Sequence, residues 1–278
     1  MPPISENRGL TANHSFELHD LQSETDDRAI TIDKVGIRGL EIPISVHDRD
    51  GDCQKTIARV GMFVDLPHNV RGTHMSRFVA ILNEHDAGYS PEGVSRLLAA
   101  MQTRLGAHSA HLEVTFPFFV RKAAPTTRIT SLMNYQVRIL ANRIHETLDL
   151  ILEVQVPVKT LCPCSKSISK YGAHSQRSVV TIQTRSQSTV WVRDLIEIVE
   201  ASCSSELYAF LKRPDEKHVT ESAYENPVFV EDLARNVVLR LQQNNRITWY
   251  QVEAENQESI HNHNAYALIR HCPPENRS

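Results

Sequence analysis

The stretch "LILEVQVPVKTLCPC", residues 150–164, alternates apolar Leu152, Val154, Val156 and Val158 with Glu153, Gln155, Pro157 and Lys159. A period of two is that of a strand with one buried and one wetter face. The phase continues past the valines. Cys162 and Cys164 stand where further valines would, so a chain that stays extended through Pro163 carries both thiols off the strand end on the buried side. The polar segment after them, "SKSISKYGAH" (165–174), reads as a loop that turns at Gly172 and brings His174 back to the thiols. A loop crossing a strand end is a common seat of chemistry.

Working outward, the pattern predicts strands near 30–48 and 56–66, helices near 75–86 and 91–105, and strands near 108–121 and 127–141. The second helix is the clearest of these. Ser90 can cap it, Pro91 suits its first position, Val94, Leu97, Leu98, Met101 and Leu105 share one face, and Gly106 can end it. The same order then returns: strands near 148–160 and 178–186, helices near 192–211 and 227–242, and strands near 246–255 and 263–270. Two rounds of ββααββ predict an α+β fold of two tandem modules, residues 29–143 and 144–272, with antiparallel sheets and helices packed on one side. Residues 1–28 are polar and acidic and are expected to form a mobile tail, with a second short tail at 273–278.

The 278 residues, 41% of them hydrophobic, can bury a sizeable core. A formal charge of -3 supplies no basic field for nucleic acid, so a small ligand is the expected partner. No apolar run reaches membrane-spanning length, and the first twenty residues lack the regions of a signal peptide, so the expected location is the cytoplasm, without membrane contact. Five cysteines are an odd number for a disulfide framework. In a reducing compartment, closely spaced thiols serve as metal ligands or catalytic groups, whereas the isolated Cys53, Cys203 and Cys272 read as structural.

The spacing C-x-C, nine residues, H matches neither a zinc finger nor a zinc ribbon. A structural zinc site would need a fourth sulfur or nitrogen ligand, and none stands nearby, so an open catalytic site is the better metal reading. Taken singly, Cys164 and His174 are equally compatible with structural roles. In "LKRPDEKHVTESAYENPVFVEDLARNVVLRL" (211–241), Asn226 and Pro227 start a helix on which Glu231 shares a face with Ala234 and Val238 and borders the buried stripe. The bland alternative is a first-turn acid favoured by the helix dipole. Glu216 follows "RPD" in what reads as a loop. His261 and His263 in "ESIHNHNAYALI" (258–269) fall on one strand face, as a metal or acid/base pair or a merely wet surface.

Together, "PCSKSISKYGAHSQRS" (163–178), "RGTHMSRF" (71–78), "DKVGIRG" (33–39), "NPVFVED" (226–232) and "ESIHNHNAYA" (258–267) resemble GTP cyclohydrolase of type IB, in the right order over about residues 30–270. Ser175 departs from the asparagine expected after the histidine in many members. The resemblance implies the tunnelling fold, with two ββααββ modules per chain, assembled as a homotetramer with active sites at subunit interfaces. It implies conversion of GTP and water to 7,8-dihydroneopterin triphosphate and formate, with one divalent cation per site (zinc, manganese or iron(II)) to activate water, and no organic cofactor. By the same resemblance Cys162, His174 and Glu216 are metal ligands, Cys164 and His261 proton-transfer groups, and Glu231 the guanine anchor. Lys166 and Arg177, with Arg77 and His74, are candidates for the triphosphate. Two alternatives are a tunnelling-fold nitrile reductase with a cysteine nucleophile and a non-catalytic zinc-binding interaction protein. The first lacks its NADPH-associated motif here, and the second requires a closed four-ligand site.

Overall fold

The computed structural model describes residues 20–85 and 90–271. Eight strands form one antiparallel sheet in sequence order: β1 (Ile32–His47), β2 (Cys53–Leu66), β3 (Ser109–Ala123), β4 (Thr130–Ile144), β5 (Thr147–Leu161), β6 (Ser175–Ser186), β7 (Ile247–Asn256) and β8 (Ala265–Arg270). Helices α1 (Met75–Glu84) and α2 (Pro91–Leu105) separate β2 from β3, while α4 (Val192–Glu200), α5 (Arg213–Glu225) and α6 (Val230–Leu241) separate β6 from β7. The first half has the expected ββααββ order, the second carries three helices between its strand pairs where two were expected, and β4 pairs with β5 from Ile144↔Thr147 to Gln136↔Gln155, so the two sheets are one.

Alternation decides which face is buried. In β3 Ala110, Leu112, Val114, Phe116 and Phe118 point into the core, as do Val154, Val156 and Val158 in β5. The helices cover that face with Leu97 and Leu98 of α2, Leu195 of α4 and Leu233 and Val237 of α6, and a single apolar core runs through both halves. Fully burying such a side chain contributes about 1.5–3 kcal/mol, so the continuous core holds the halves together. The tip of the β1–β2 hairpin adds a polar clamp: Arg193 donates to the buried Asp48 at 2.7 Å, and Arg49 reaches Asp194 at 3.0 Å. Gly36 permits the close β1–β2 approach, because a Cβ there would stand 2.0 Å from the Met62 carbonyl oxygen.

Three sequence expectations are corrected. The helix expected over 192–211 stops at Glu200: the serines of "ASCSSE" bond to backbone instead, Ser202 locally to the Ile198 carbonyl, a bond of the kind that competes with helix, and Ser204 to the distant Leu161 amide. Segment 204–205 then pairs with Lys159, taking over the end of β5 after its ladder with β4 has stopped. Residues 213–225, read as a loop around Glu216, form α5, whose apolar stripe is too thin to show in sequence. Its start is fixed by Asp215, which is buried and accepts bonds from the amides of Thr126, Thr127 and Lys212 and from the Thr127 hydroxyl. Third, residues 20–28 lie against 69–73, with Thr25 bridged to Val70 and the Arg71 amide bonded to the Glu24 carbonyl. The expected tails over 1–19 and 273–278, and Cys272, lie outside the described residues.

Candidate active site

The site end of β5 differs from the expectation of an extended exit. Pro163 opens a short helix, α3 (Pro163–Ile168), with Cys162 at its N-cap, where its Sγ accepts from the Ser165 amide at 3.4 Å. Proline at the first helical position is pre-organised for that turn. The consequence is that the thiols part: Cys162 is half-buried at the strand end, and Cys164 is exposed on the helix. The loop returns as expected. The Cys162 amide donates to the His174 carbonyl at 3.1 Å, and the His174 amide donates to Ser165 Oγ at 3.0 Å.

His174 then meets two groups that sequence reasoning did not single out. Its Nδ1 lies 3.0 Å from Gln176 Oε1 and 3.8 Å from Glu258 Oε2. Nδ1 is therefore engaged by the Gln176 amide, and Nε2 has no hydrogen-bond partner among the described residues. Gln176 occupies an inward-facing position of β6 where an apolar residue would be ordinary, and that misfit was the legible signal.

The other candidates fall into two groups. Glu231, in the first turn of α6, follows three residues after Val228, whose amide donates to the Leu161 carbonyl at 3.0 Å, so it belongs to the same strand end. It is exposed instead of bordering the stripe, and makes no hydrogen bond or ion pair among the described residues. His261 and His263 lie in the β7–β8 loop, not on a strand, with rings stacked 5.1 Å apart. That loop carries Glu258, which places it over His174. Lys166 ties α3 to α5, donating to the Tyr224 carbonyl and standing 4.4 Å over its ring, while the Arg177 side chain is exposed.

Arg77 and His74 are not brought to this end within the chain, and Glu216 closes no three-ligand cluster with Cys162 and His174 among the described residues. Glu216 is exposed on the first turn of α5, eight residues before Tyr224, about 12 Å along the axis at 1.5 Å per residue. Arg77 and His74 follow the end of β2 that lies beside the start of β3, opposite the end where β5 reaches Cys162; His74 bonds Asp20 at 2.9 Å. Among the described residues no three His, Cys, Asp or Glu side chains stand close enough to hold a metal. Of the three ligands that the resemblance implies, one chain joins Cys162 and His174 through a backbone bond, a thiol and an imidazole that would suit a cation. An apolar cavity of about 370 Å³, lined by Phe116, Ile139, Leu152, Val190 and Trp191, contains none of these residues.

A family model described as type I GTP cyclohydrolase FolE2 matches residues 18–267. The chain belongs to that family. Among curated members, GTP cyclohydrolase FolE2 of Nitrosococcus oceani is 50% identical over 252 residues, 91% of this chain and 94% of that protein. The FolE2 of Citrifermentans bemidjiense is 51% identical with the same coverage. A highly active mutant of Bacillus sp. TB-90 urate oxidase shares the fold, with a TM-score of 0.52 at 9% identity over 87% of this chain and 100% of that one. This likeness is of fold alone: the tunnelling fold. Membership of the FolE2 family displaces the nitrile-reductase and zinc-binding readings. No helix among the described residues is long and apolar enough to cross a membrane.

Proposed function

We propose that the protein converts GTP and water to 7,8-dihydroneopterin 3'-triphosphate and formate, the first step of tetrahydrofolate synthesis, as a cytoplasmic homotetramer. The observation that carries the reading is the Cys162–His174 pair, closed by a backbone bond and with Nδ1 of the histidine already occupied, in a chain half identical to FolE2 cyclohydrolases over most of its length.

Cys162 and His174 present a thiol and an imidazole nitrogen, and Glu216 of a neighbouring copy completes the set in the assembled protein. Zinc, manganese or iron(II) suits such a mixed S, N and O donor set, and when bound would lower the pKa of a water to supply a nucleophile near neutral pH. Glu231, a carboxylate with no partner of its own, accepts two parallel bonds from the ring NH and amino group of guanine. Cys164 and His261, both exposed at the same end, move protons as the imidazole ring opens and carbon 8 leaves as formate. Arg177 is free to meet the triphosphate, and Lys166 can do so by releasing the Tyr224 carbonyl.

Incubating the purified protein with GTP and manganese or zinc tests the reading. Formate and, after oxidation, a fluorescent pterin are expected; neither product from the assembled, metal-loaded protein overturns it.

A further inference from the structure

At the site end of three adjacent strands the inward-facing residue changes from apolar to polar. Val158 is followed by Thr160, Val180 is preceded by Ser178 and Gln176, and Ala254 is followed by Asn256, all buried. These side chains form one chain of hydrogen bonds. Ser178 Oγ and Asn256 Oδ1 are 2.6 Å apart, Thr160 Oγ1 and Ser178 Oγ 2.9 Å, Gln176 Nε2 and Thr160 Oγ1 3.1 Å, and Gln176 Oε1 and His174 Nδ1 3.0 Å.

A chain of hydroxyls and amides can run in two directions. In one, Gln176 donates to Thr160, Thr160 to Ser178 and Ser178 to the Asn256 carbonyl oxygen, and His174 Nδ1–H donates to Gln176. In the other, both amides are turned and every bond is reversed, so that Gln176 donates to a bare Nδ1 and the ring proton sits on Nε2. Every link is satisfied either way, so the chain alone does not choose. Glu258 does. Its Oε1 lies 3.4 Å from Gln176 Nε2, an attraction that would become oxygen facing oxygen if the amide turned, and its Oε2 lies 3.8 Å from His174 Nδ1. Both contacts favour the first direction.

We infer that Glu258 is a positioning residue that fixes the direction of the Asn256–Ser178–Thr160–Gln176 chain and thereby holds His174 in its Nδ1–H tautomer, with the Nε2 lone pair presented to the site. The tautomer assignment stands on hydrogen bonding alone; its value for catalysis rests on the proposed role of His174 as a metal ligand. Partners of this kind around a metal-binding histidine change metal affinity by about 10- to 100-fold.

The test is a two-bond proton–nitrogen NMR correlation spectrum of ¹⁵N-labelled, metal-free protein, at a pH about two units above the ordinary histidine value. His174 is assigned by its loss in His174→Ala. In the parent protein His174 should show a protonated Nδ1 and a bare Nε2. Glu258→Gln removes the charge that sets direction, and should move His174 wholly or partly to the Nε2–H form and weaken zinc binding about 10- to 100-fold. Adding Asn256→Asp should restore the Nδ1–H form, because a carboxylate there can only accept from Ser178. A merely structural role for Glu258 predicts no such rescue. A parent His174 with its proton on Nε2, or a tautomer unmoved in Glu258→Gln, overturns the inference; should the double variant fail to fold, the single variant decides. A correct tautomer in a protein that does not turn over GTP would strike the proposed function and leave this inference standing.

Discussion

The amide of Cys162 donates to the carbonyl of His174 at 3.1 Å, and this one bond closes the loop 163–173 across the end of β5. It joins two residues of different polarity that the strand period alone would send apart. The chemistry proposed here starts from that closure.

Because Cys162, His174 and Glu216 close no three-ligand cluster within the described residues of one chain, metal binding and catalysis should depend on assembly. Chelator treatment should abolish activity while circular dichroism stays unchanged, with manganese or zinc restoring turnover, since an open three-ligand site does not hold the fold together. Cys162→Ser and Glu216→Ala should each be inactive, yet partly active when unfolded together and reassembled as mixed tetramers. No recovery in the mixture counts against a ligand supplied by the neighbouring copy.

Glu231 and Cys164 separate binding from chemistry. Glu231→Gln puts an amide donor against the donors of guanine, and bonds to a charged group are worth about 1.5–3 kcal/mol, so GTP should bind roughly ten- to a hundredfold more weakly with metal content unchanged. Cys164→Ala should bind GTP and metal as the parent does and stall turnover. Calorimetric titration with metal analysis reads both. Parent-like GTP affinity in Glu231→Gln returns that residue to the role of a helix first-turn acid.

Asp215 couples α5 to pH. Burial opposes its ionisation, but the Thr127 amide and hydroxyl and the Lys212 and Thr126 amides outweigh burial and hold its carboxyl well below the usual carboxylate range. A depressed folded pKa gives stability that is present above the unfolded value, about 3.9, and is lost as pH falls through the folded one. Asp215→Asn should therefore melt below the parent at pH 7, with the gap closing as both are taken well below pH 4. A gap that persists unchanged in acid would place the effect in packing.

The cysteines should react in the order of their surroundings. Burial, with Glu206 and Glu200 nearby, pushes the Cys203 thiol up to about 12, while Cys53 and Cys164 are exposed. Only the thiolate alkylates readily, so mass spectrometry after iodoacetamide at pH 8 should find Cys53 and Cys164 modified and Cys203 untouched until denaturant is added. Early labelling of Cys203 would contradict its burial.

Much of this was legible in advance. The valine alternation of β5, the cap, stripe and terminal glycine of α2, and the repeated order of strand pair, helices and strand pair are local periodicities, and local periodicity is set by which face must leave water. Cys53 shows the limit of that reasoning: an isolated cysteine read as structural is exposed at the start of β2, whereas Cys203 is buried as expected. Strand and helix boundaries failed where backbone bonds came from distant partners, as when Ser204 and Ser205 left α4 to pair with β5, or when Asp215 anchored α5 on the β3–β4 turn.

The sequence by itself determined the elements, their order, the apolar face of each and, through its motifs, the family. It also placed Cys162 and His174 at one strand end. Only the tertiary structure decided that Cys164 turns outward on α3, that Arg77 lies at the opposite end of the sheet from the thiol, and that Gln176 and Glu258 stand behind His174. The reason is range. Burial periodicity is written residue by residue, but a site is made of contacts between strand ends and loops up to 84 residues apart, His174 and Glu258, whose positions follow from the register of β5, β6 and β7 and from no pattern within any one of them.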